Sequence, residues 1–390
     1  MKKKILISGG GIAGLTAAKC LSRQGFDVTV TDRVSSFTKA GFLISLKSFG
    51  VWIMDELGLT AKLRETSSPS KLVSFMEKND KIIQCISYEK MNEHIDPSLL
   101  ISRGALHYVL YEDIKDDVNL IFDTTVSGIV QKEDTAIATL SDGKEMEADL
   151  VIISEGLRSS SRERYFKDSR LEDFNTLYMG GKLHLEHPYE VGSFKIYIDV
   201  NKMLSIYPVA HNEIAIQCYI HHTGDLTTVK KNAQSMLQDS FTQYSHDVQE
   251  LLIRFADKGI MFVDKMGMVN SPDLVNGNLV LLGDAGYCPT ALSGMGASLS
   301  IYGAKALAHF IGKTPHNLKL ACRNYNSLMQ PVIKKFQDNA KNNAASFIPE
   351  NEDRLNQFVN SFRAATDAKL RQIMTDPITL TEDQLNFKMD

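Results

Sequence analysis

The chain has 390 residues, of which 43% are hydrophobic and 23% charged, with a formal net charge of −4 at pH 7. This length encloses a substantial core, and the slightly acidic balance gives no reason to expect nucleic acid or an anionic membrane as a partner. The five cysteines show no CxxC pair or metal-ligand spacing, which predicts reduced thiols in a cytosolic protein without a metal site.

The N-terminal segment predicts a strand, a helix and a second strand. Residues 5–8 form an apolar run that ends at glycine, apolar residues then recur at helical spacing from Ile12 to Leu21, and residues 27–32 form the second strand. A basic start precedes the apolar run, but three glycines interrupt it, so we expect no signal peptide. No stretch reaches the roughly 20 apolar residues of a membrane span.

The turn between the first strand and the helix carries the GxGxxG spacing in Gly9, Gly11 and Gly14. Gly9 permits the tight turn, Gly11 lets a pyrophosphate approach, and Gly14 lets the helix pack closely on the strand. Asp32 ends the second strand, where it can accept a hydrogen bond from a ribose hydroxyl. The pattern predicts a dinucleotide site and leaves NAD and FAD open. Neighbouring residues expected at the same site are Ile12, Ala13 and Arg33.

The middle of the chain predicts further strands and then helices. Residues 149–154 form another buried strand, and residues 177–220 alternate apolar and polar side chains over several consecutive strands. Such alternation predicts an antiparallel sheet with one face covered and one available. Residues 317–374 have a helical period, with Pro331 as an expected kink.

A second glycine turn follows the strand of ADLVIISEGLRSSSR. Gly156 comes after Glu155, with Ser159 three residues and Arg162 six residues further on. An NAD-dependent dehydrogenase needs only the first glycine turn, whereas a longer cofactor has a ribityl chain that more backbone must follow.

A third glycine turn lies in LVLLGDAGYCPTALSGMGAS. The strand delivers Gly283 and Asp284 to the cofactor, where Asp284 can accept a hydrogen bond from a ribityl hydroxyl. Two further glycines let backbone N–H groups reach a flavin ring, and the helix that follows would aim its N-terminus at the pyrophosphate or the ring. A proline stiffens the loop between them. These residues are Gly294, Gly296, Ala297 and Pro289.

In this order and spacing, the three stretches resemble the class A flavin-dependent monooxygenases, the para-hydroxybenzoate hydroxylase-like family. ISRGALHYVL is similar to the family's R-x-x-L-x-x-x-L helix, which implies that Arg103 contacts the ribityl or phosphate region. GDAGYCPTALSGMGAS is similar to segments of one branch, which includes the tetracycline-inactivating monooxygenases (tetracycline destructases). In TKAGFLISLKSFGV, Lys39 or Lys47 stands where that branch frequently has a basic residue.

The chain departs from the family's pattern at four positions. Glu155 stands where the family has Asp, Tyr287 where it has His, Ser298 where it has Asn, and Gly303 where many members have Asp. Glu155 is the longer acid, which puts its contact with NADPH or flavin in doubt.

Together, the pattern and the resemblance predict an α/β fold. A Rossmann-like FAD-binding domain of the glutathione reductase type is interleaved with a substrate domain built on an antiparallel sheet, and C-terminal helices follow. The expected FAD-binding segments are 1–70, 100–170 and 270–315, the substrate segments are 71–99 and 171–269, and the C-terminal helices span 316–390.

The resemblance implies an FAD-dependent monooxygenase that consumes NADPH and O₂. It would hydroxylate an electron-rich polycyclic phenol or enol through a flavin C4a-hydroperoxide, and tetracycline inactivation is the leading hypothesis. Another aromatic or polyketide substrate, a flavin-dependent reductase, and a binding protein without turnover stay open. No acid–base catalytic residue is assigned, and a cytoplasmic monomer is expected.

The substrate is expected between the antiparallel sheet and the flavin ring. Polar and aromatic side chains on two of its strands are the candidate contacts, and a solvated outer face is the alternative. The candidates are Lys195, Tyr197, Gln217 and Tyr219.

Overall fold

The computed structural model describes residues 2–38, 41–88, 98–375 and 379–385. Within them the strands are β1 (Lys4–Ser8), β2 (Asp27–Thr31), β3 (Leu43–Leu46), β4 (Ser67–Ser68), β5 (Leu72–Met76), β6 (Ile82–Ser87), β7 (Leu99–Ser102), β8 (Asn119–Ile121), β9 (Val126–Gln131), β10 (Ala136–Leu140), β11 (Glu145–Ala148), β12 (Leu150–Ile153), β13 (Arg170–His184), β14 (Ser193–Asp199), β15 (Lys202–Ala210), β16 (Glu213–His221), β17 (Ile260–Asn270), β18 (Val275–Asn276) and β19 (Leu279–Leu281).

The helices of the same residues are α1 (Ile12–Arg23), α2 (Phe49–Glu56), α3 (Thr60–Glu65), α4 (Arg103–Ile114), α5 (Ser160–Tyr165), α6 (Leu226–Lys231), α7 (Ala233–Ser240), α8 (His246–Lys258), α9 (Asp284–Tyr287), α10 (Gly296–Lys313), α11 (Leu318–Phe347), α12 (Glu352–Arg363), α13 (Asp367–Thr375) and α14 (Glu382–Leu385). A 3₁₀ helix covers Ala291–Ser293. None of these helices is long and apolar enough to cross a membrane.

A six-stranded sheet in the order β18-β19-β12-β1-β2-β8 forms the centre of the first core. Strands β19, β12, β1, β2 and β8 run parallel, and only β18 pairs antiparallel with its neighbour. Every residue of β12 and β19 is buried, as expected for parallel strands covered on both faces. The predicted Rossmann-like parallel sheet is therefore confirmed.

A seven-stranded sheet in the order β17-β13-β16-β15-β14-β5-β6 confirms the predicted antiparallel sheet, although β14 and β5 pair in parallel. One surface, which we call the Tyr197 face, packs beneath α6, α7 and α8. The other surface, the Tyr178 face, packs with Leu292 and Phe42. The buried members of the Tyr197 face include Met179, Tyr197, Leu204, Ile216 and Cys218. Those of the Tyr178 face include Tyr178, Phe194, Ile198, Met203 and Tyr219.

The C-terminal segment is helical, as predicted, and α11 continues through Pro331. Its first two-thirds packs in the first core, where the Phe336 ring lies 5.8 Å from that of Phe49. The end of α11 and the helix α12 reach the antiparallel sheet, where Phe362 lies 4.8 Å from Phe75. These helices therefore join the two sheets. The division into domains expected from the sequence stays a prediction.

Candidate functional site

The predicted cofactor motifs lie side by side at one edge of the parallel sheet. Strands β19, β12, β1 and β2 are neighbours in that order, and the carboxyl ends of parallel strands meet at the same edge. They lead directly to Gly283-Asp284, Gly156, Gly9 and Asp32. The fold thus brings together motifs that are far apart in the chain, at the edge where open α/β sheets bind ligands.

The first glycine turn has a single open position. A Cβ atom on Gly9 would collide with the Ser154 carbonyl, and one on Gly14 would collide with the Gly9 carbonyl. In contrast, no atom of the described residues lies within 4 Å of a Cβ placed on Gly11. Close packing at two glycines and open space at the third fit a pyrophosphate that passes over Gly11.

The second and third turns repeat this contrast. Gly156 has a φ of 82°, and its Cβ position has no atom within 4 Å in the part of the chain that the structure describes. Gly283 has a φ of 63°, and a Cβ there would lie 2.6 Å from the Ala13 side chain of α1. The third turn therefore packs closely against α1, whereas the Cβ position of Gly156 faces open space.

Asp32 already has partners but keeps capacity for another. Its Oδ2 accepts a hydrogen bond from the Gly10 amide at 2.7 Å, and Oδ1 accepts one from Val34 N at 3.1 Å. A carboxylate oxygen accepts more than one hydrogen bond, so a ribose hydroxyl still fits. Arg33, the next residue, is exposed, and nothing in the structure singles it out for the site.

His107, which none of the sequence motifs indicates, contacts the turn between β1 and α1. Its Nε2 lies 2.5 Å from the Gly10 carbonyl oxygen, and its ring meets Phe37 edge-on at 4.4 Å. Burial lowers the pKa of His107, so the neutral ring donates Nε2–H to that carbonyl. His107 follows Arg103 by four residues on α4, and this helical spacing could have revealed it.

Arg103 and Asp284 are coupled electrostatically across the site. Burial raises the pKa of the Asp284 carboxyl, and the Arg103 guanidinium opposes that rise. Arg103 itself is exposed at the start of α4. A cation that faces solvent near this carboxylate is suited to a phosphate or a polar chain between them.

Glu155 is held by protein donors. Its Oε1 accepts hydrogen bonds from Ser8 Oγ at 2.8 Å and Ser161 Oγ at 2.6 Å. Its Oε2 accepts from Ser159 Oγ at 2.7 Å and from the Ser161 amide at 3.1 Å. The longer acid therefore ties β1 to the N-terminal end of α5, and these four bonds fill its roughly four accepting sites.

Arg162 connects the second turn to the third. Its side chain is 1% exposed, and Nη1 donates hydrogen bonds to the carbonyl oxygens of Leu157 at 2.8 Å and Ala285 at 3.3 Å. Two elements from distant parts of the chain thus share one buried guanidinium, which fixes their separation.

Tyr287 and Gly303, two of the departures from the family's pattern, are in direct contact in the folded protein. The Tyr287 hydroxyl occupies the space above Gly303, where any Cβ would collide with it. That hydroxyl lies 3.2 Å from Tyr325 Oη, which is also 3.2 Å from the Leu281 carbonyl oxygen. A tyrosine at 287 therefore requires the glycine at 303.

The loop between α9 and α10 lies beside Lys47, which directly follows β3 in the chain. Pro289 is buried, and Thr290 has a φ of 62°. Gly294 is left-handed, with a φ of 62°, and a Cβ on it would lie 3.5 Å from Lys47 Nζ. Gly296 begins α10, and its Cβ position is 3.9 Å from Asp284 Oδ1. Ala297 follows in the first turn of that helix. Lys39, the alternative basic residue, lies outside the described residues.

The four substrate candidates are divided between the two faces of the antiparallel sheet. Gln217 and Tyr219 are on the Tyr178 face, since Tyr219 pairs with Tyr178 across β13 and β16. Lys195 and Tyr197 are on the opposite face, where Tyr197 Oη donates a hydrogen bond to Asp80 Oδ1 at 2.6 Å. A substrate on one face of the sheet can therefore contact only one of these two pairs, because interstrand register, which the sequence does not show, sets which alternating positions align.

The Tyr178 face is the one that meets the cofactor edge. Gln217 Nε2 donates to the Leu43 carbonyl oxygen at 2.6 Å, and the Tyr178 ring lies 5.2 Å from that of Phe42. Leu292, from the loop before α10, packs in the same cluster. The face therefore stands opposite strand β3 and the loop that leads to Gly294.

On this face, the Tyr178 hydroxyl has no hydrogen-bond partner among the described residues. The Tyr178 side chain is buried. The hydroxyl lies over Gly180, which has no side chain to displace it. Burial holds the pKa of Tyr178 well above its usual range, so the group is a neutral donor.

The chain is similar in sequence to known flavoproteins. A model of the family described as FAD binding domain matches residues 2–316. The chain is 27% identical over 337 residues to a flavin-dependent monooxygenase of Legionella longbeachae serogroup 1 (strain NSW150), covering 85% of this chain and 86% of that protein.

Two crystal structures have a similar fold. The tetracycline destructase Tet(55) has a TM-score of 0.79 at 23% identity, covering 98% of this chain and 99% of that chain. Klebsiella pneumoniae HpxO, complexed with FAD and uric acid, has a TM-score of 0.85 at 21% identity, covering 97% of this chain and 96% of that chain. At these identities, the likeness is one of fold alone.

Proposed function

We infer the reaction of this chain from its family, because the chain belongs to the FAD binding domain family. It is an FAD-dependent monooxygenase. Such an enzyme consumes NAD(P)H, a proton and O₂, places one oxygen atom on the substrate and releases the other as water. Bound FAD supplies the activation of O₂, and the protein supplies binding, orientation and the exclusion of water.

We propose that the three glycine turns and Asp32, at the end of β2, hold FAD along the edge of the parallel sheet. The pyrophosphate passes over Gly11, Asp32 accepts a hydrogen bond from the ribose, and Gly156 lets the chain pass close to the backbone. Arg103 and Asp284 contact the polar middle of the cofactor. The backbone around Gly294, Gly296 and Ala297 faces the ring, with Ile12, Ala13 and Pro289 packed behind these turns.

The substrate proposed is an electron-rich polycyclic phenol or enol, held between the flavin and the Tyr178 face. The single observation that carries this proposal is the uncommitted Tyr178 hydroxyl, set among aromatic rings beside Leu292. A neutral phenol donates a hydrogen bond to a phenol, enol or carbonyl oxygen, and the rings pack on a planar molecule. Tetracycline is the substrate we propose first, because the loop sequence resembles the destructase branch.

The test is turnover by the protein reconstituted with FAD. We expect tetracycline to accelerate NADPH oxidation, its chromophore to decay, and the product mass to increase by one oxygen atom. A matched reaction without FAD controls for direct decay of the drug. If the drug persists and NADPH oxidation is unchanged, tetracycline is not the substrate, and other phenols and polyketides are tested in the same way.

Two tyrosine variants test which sheet face binds substrate. Tyr178→Phe removes a hydroxyl without a partner among the described residues, so we expect unchanged or greater stability and, with tetracycline, a KM increase of about tenfold, equivalent to about 1.4 kcal/mol. Tyr197→Phe removes the bond to Asp80, so we expect a stability loss of about 1 kcal/mol and an unchanged KM.

Thermal unfolding and steady-state kinetics measure both quantities for each variant. The reverse pattern, with KM raised only by Tyr197→Phe, would place the substrate on the other face of the sheet and contradict the proposal.

A further inference from the structure

Lys47 presents a half-buried ammonium group at the start of the helix α10. Its backbone is fixed by Ser298, whose hydroxyl accepts a hydrogen bond from Lys47 N at 3.1 Å and donates one to Lys47 O at 3.0 Å. The side chain extends to Gly294, whose Cβ position lies 3.5 Å from Nζ. Ser298 is in the first turn of α10, so backbone and ammonium both meet the N-terminal end of that helix.

The charge on Lys47 is uncompensated. Burial alone lowers the pKa of Lys47, and no carboxylate contributes to the shift. No salt bridge to Lys47 occurs among the described residues. The N-terminal end of an 18-residue helix adds positive potential at the same point. An unpaired cation at such a position is unfavourable unless negative charge appears beside it.

We propose that the Lys47 ammonium stabilises the negative charge that FAD acquires on reduction. This inference rests on the proposed placement of the ring beside Gly294 and Gly296. Oxidised flavin is neutral in its ring, whereas two-electron reduction with one proton leaves a negative charge spread over the ring's N1–C2=O side. A fixed cation favours the reduced form selectively, and a charge near the ring is one of the means by which proteins set flavin electronics.

Because the proposed role of Lys47 is to favour reduced over oxidised FAD electrostatically, the midpoint potential of the flavin measures it directly. For FAD-reconstituted Lys47→Met, we expect the preference for reduced over oxidised FAD to fall at least tenfold. For a two-electron couple, this fall corresponds to a potential about 30 mV more negative. We expect Lys47→Arg, which keeps the charge, to stay close to the wild-type potential. The potential is measured anaerobically against a reference dye, without substrate.

Lys305→Met is the matched control. It removes one lysine charge from α10, the helix whose N-terminal end Lys47 meets, but Lys305 Nζ is paired with Glu56 Oε2 at 3.0 Å. If Lys47→Met and Lys305→Met shift the midpoint potential equally, the shift reflects only the change in net charge of the protein, and the proposal is overturned. An unchanged potential in Lys47→Met would also overturn it.

Titration with oxidised FAD separates this role from simple binding. If Lys47→Met no longer retains oxidised FAD while Lys47→Arg does, Lys47 is a binding residue for the oxidised cofactor and the proposal is wrong. Retention of oxidised FAD together with a lowered potential supports it. Because no substrate is present, failure of tetracycline turnover does not alter either result.

Discussion

Gly11→Val is expected to abolish most FAD binding and leave the fold intact. Gly11 has φ −72° and ψ −173°, which any L-residue adopts without strain, and among the residues that the structure describes no atom lies within 4 Å of its Cβ position. The added side chain enters the space we assign to the pyrophosphate. We expect FAD affinity to fall by at least tenfold, which is about 1.4 kcal/mol, with unchanged unfolding of the apoprotein.

Gly14→Ala is the contrasting variant three residues along. Its Cβ would collide with the Gly9 carbonyl and lie 2.8 Å from Ser154 Oγ, between helix and strand. Overpacking of this kind costs about 1–3 kcal/mol, so we expect lower stability as well as lower FAD affinity. Fluorescence titration with FAD and thermal unfolding of the apoprotein measure both. Normal FAD binding by Gly11→Val would show that the cofactor does not pass over this turn.

Arg162→Met is expected to cause the largest loss of stability. The substitution leaves the partly buried Leu157 carbonyl and the buried Ala285 carbonyl without their shared donor, at about 1–3 kcal/mol for the buried carbonyl and less for the other. Relief of the cost of burying a guanidinium offsets part of this loss. Because the two carbonyls belong to the second and third cofactor turns, FAD affinity should fall together with the free energy of unfolding.

Arg158→Met provides the control in the same segment. Arg158 pairs with Asp264 at 2.7 Å, with side chains 47% and 24% exposed, and such pairs contribute at most about 1 kcal/mol. Denaturant unfolding with and without FAD distinguishes the two variants. If Arg162→Met lowers stability no more than Arg158→Met, the buried guanidinium does not hold the turns together.

The local elements were accessible from the sequence because their signals are local. Strand β1, helix α1 and strand β2 follow from an apolar run, helical spacing and a glycine turn, and the structure places them where expected. The family match over residues 2–316 confirms the predicted FAD cofactor, and together with the flavin-dependent monooxygenase relative it confirms an FAD-dependent monooxygenase. The destructase branch and the individual cofactor contacts stay predictions, since fold similarity does not identify a ligand.

Other features depend on pairs of residues that sequence spacing cannot join. The Tyr287 hydroxyl occupies the space above Gly303, so the departures from the family's pattern at these two positions depend on each other. Glu155 accepts a hydrogen bond from Ser8, 147 residues earlier in the chain, as well as from Ser159 and Ser161 close by. These relations depend on which side chains meet after folding.

Short-range periodicity and spacing in the sequence predict the parallel sheet, the glycine turns at its edge and the alternation of the second sheet. Which face of that second sheet meets the cofactor edge follows only from the folded structure. Lys195 and Tyr197 alternate as regularly as Gln217 and Tyr219, but strand pairing places the two pairs on opposite faces. Alternation has a period of two and no absolute sign, so only register and the helices packed on one face distinguish the two surfaces.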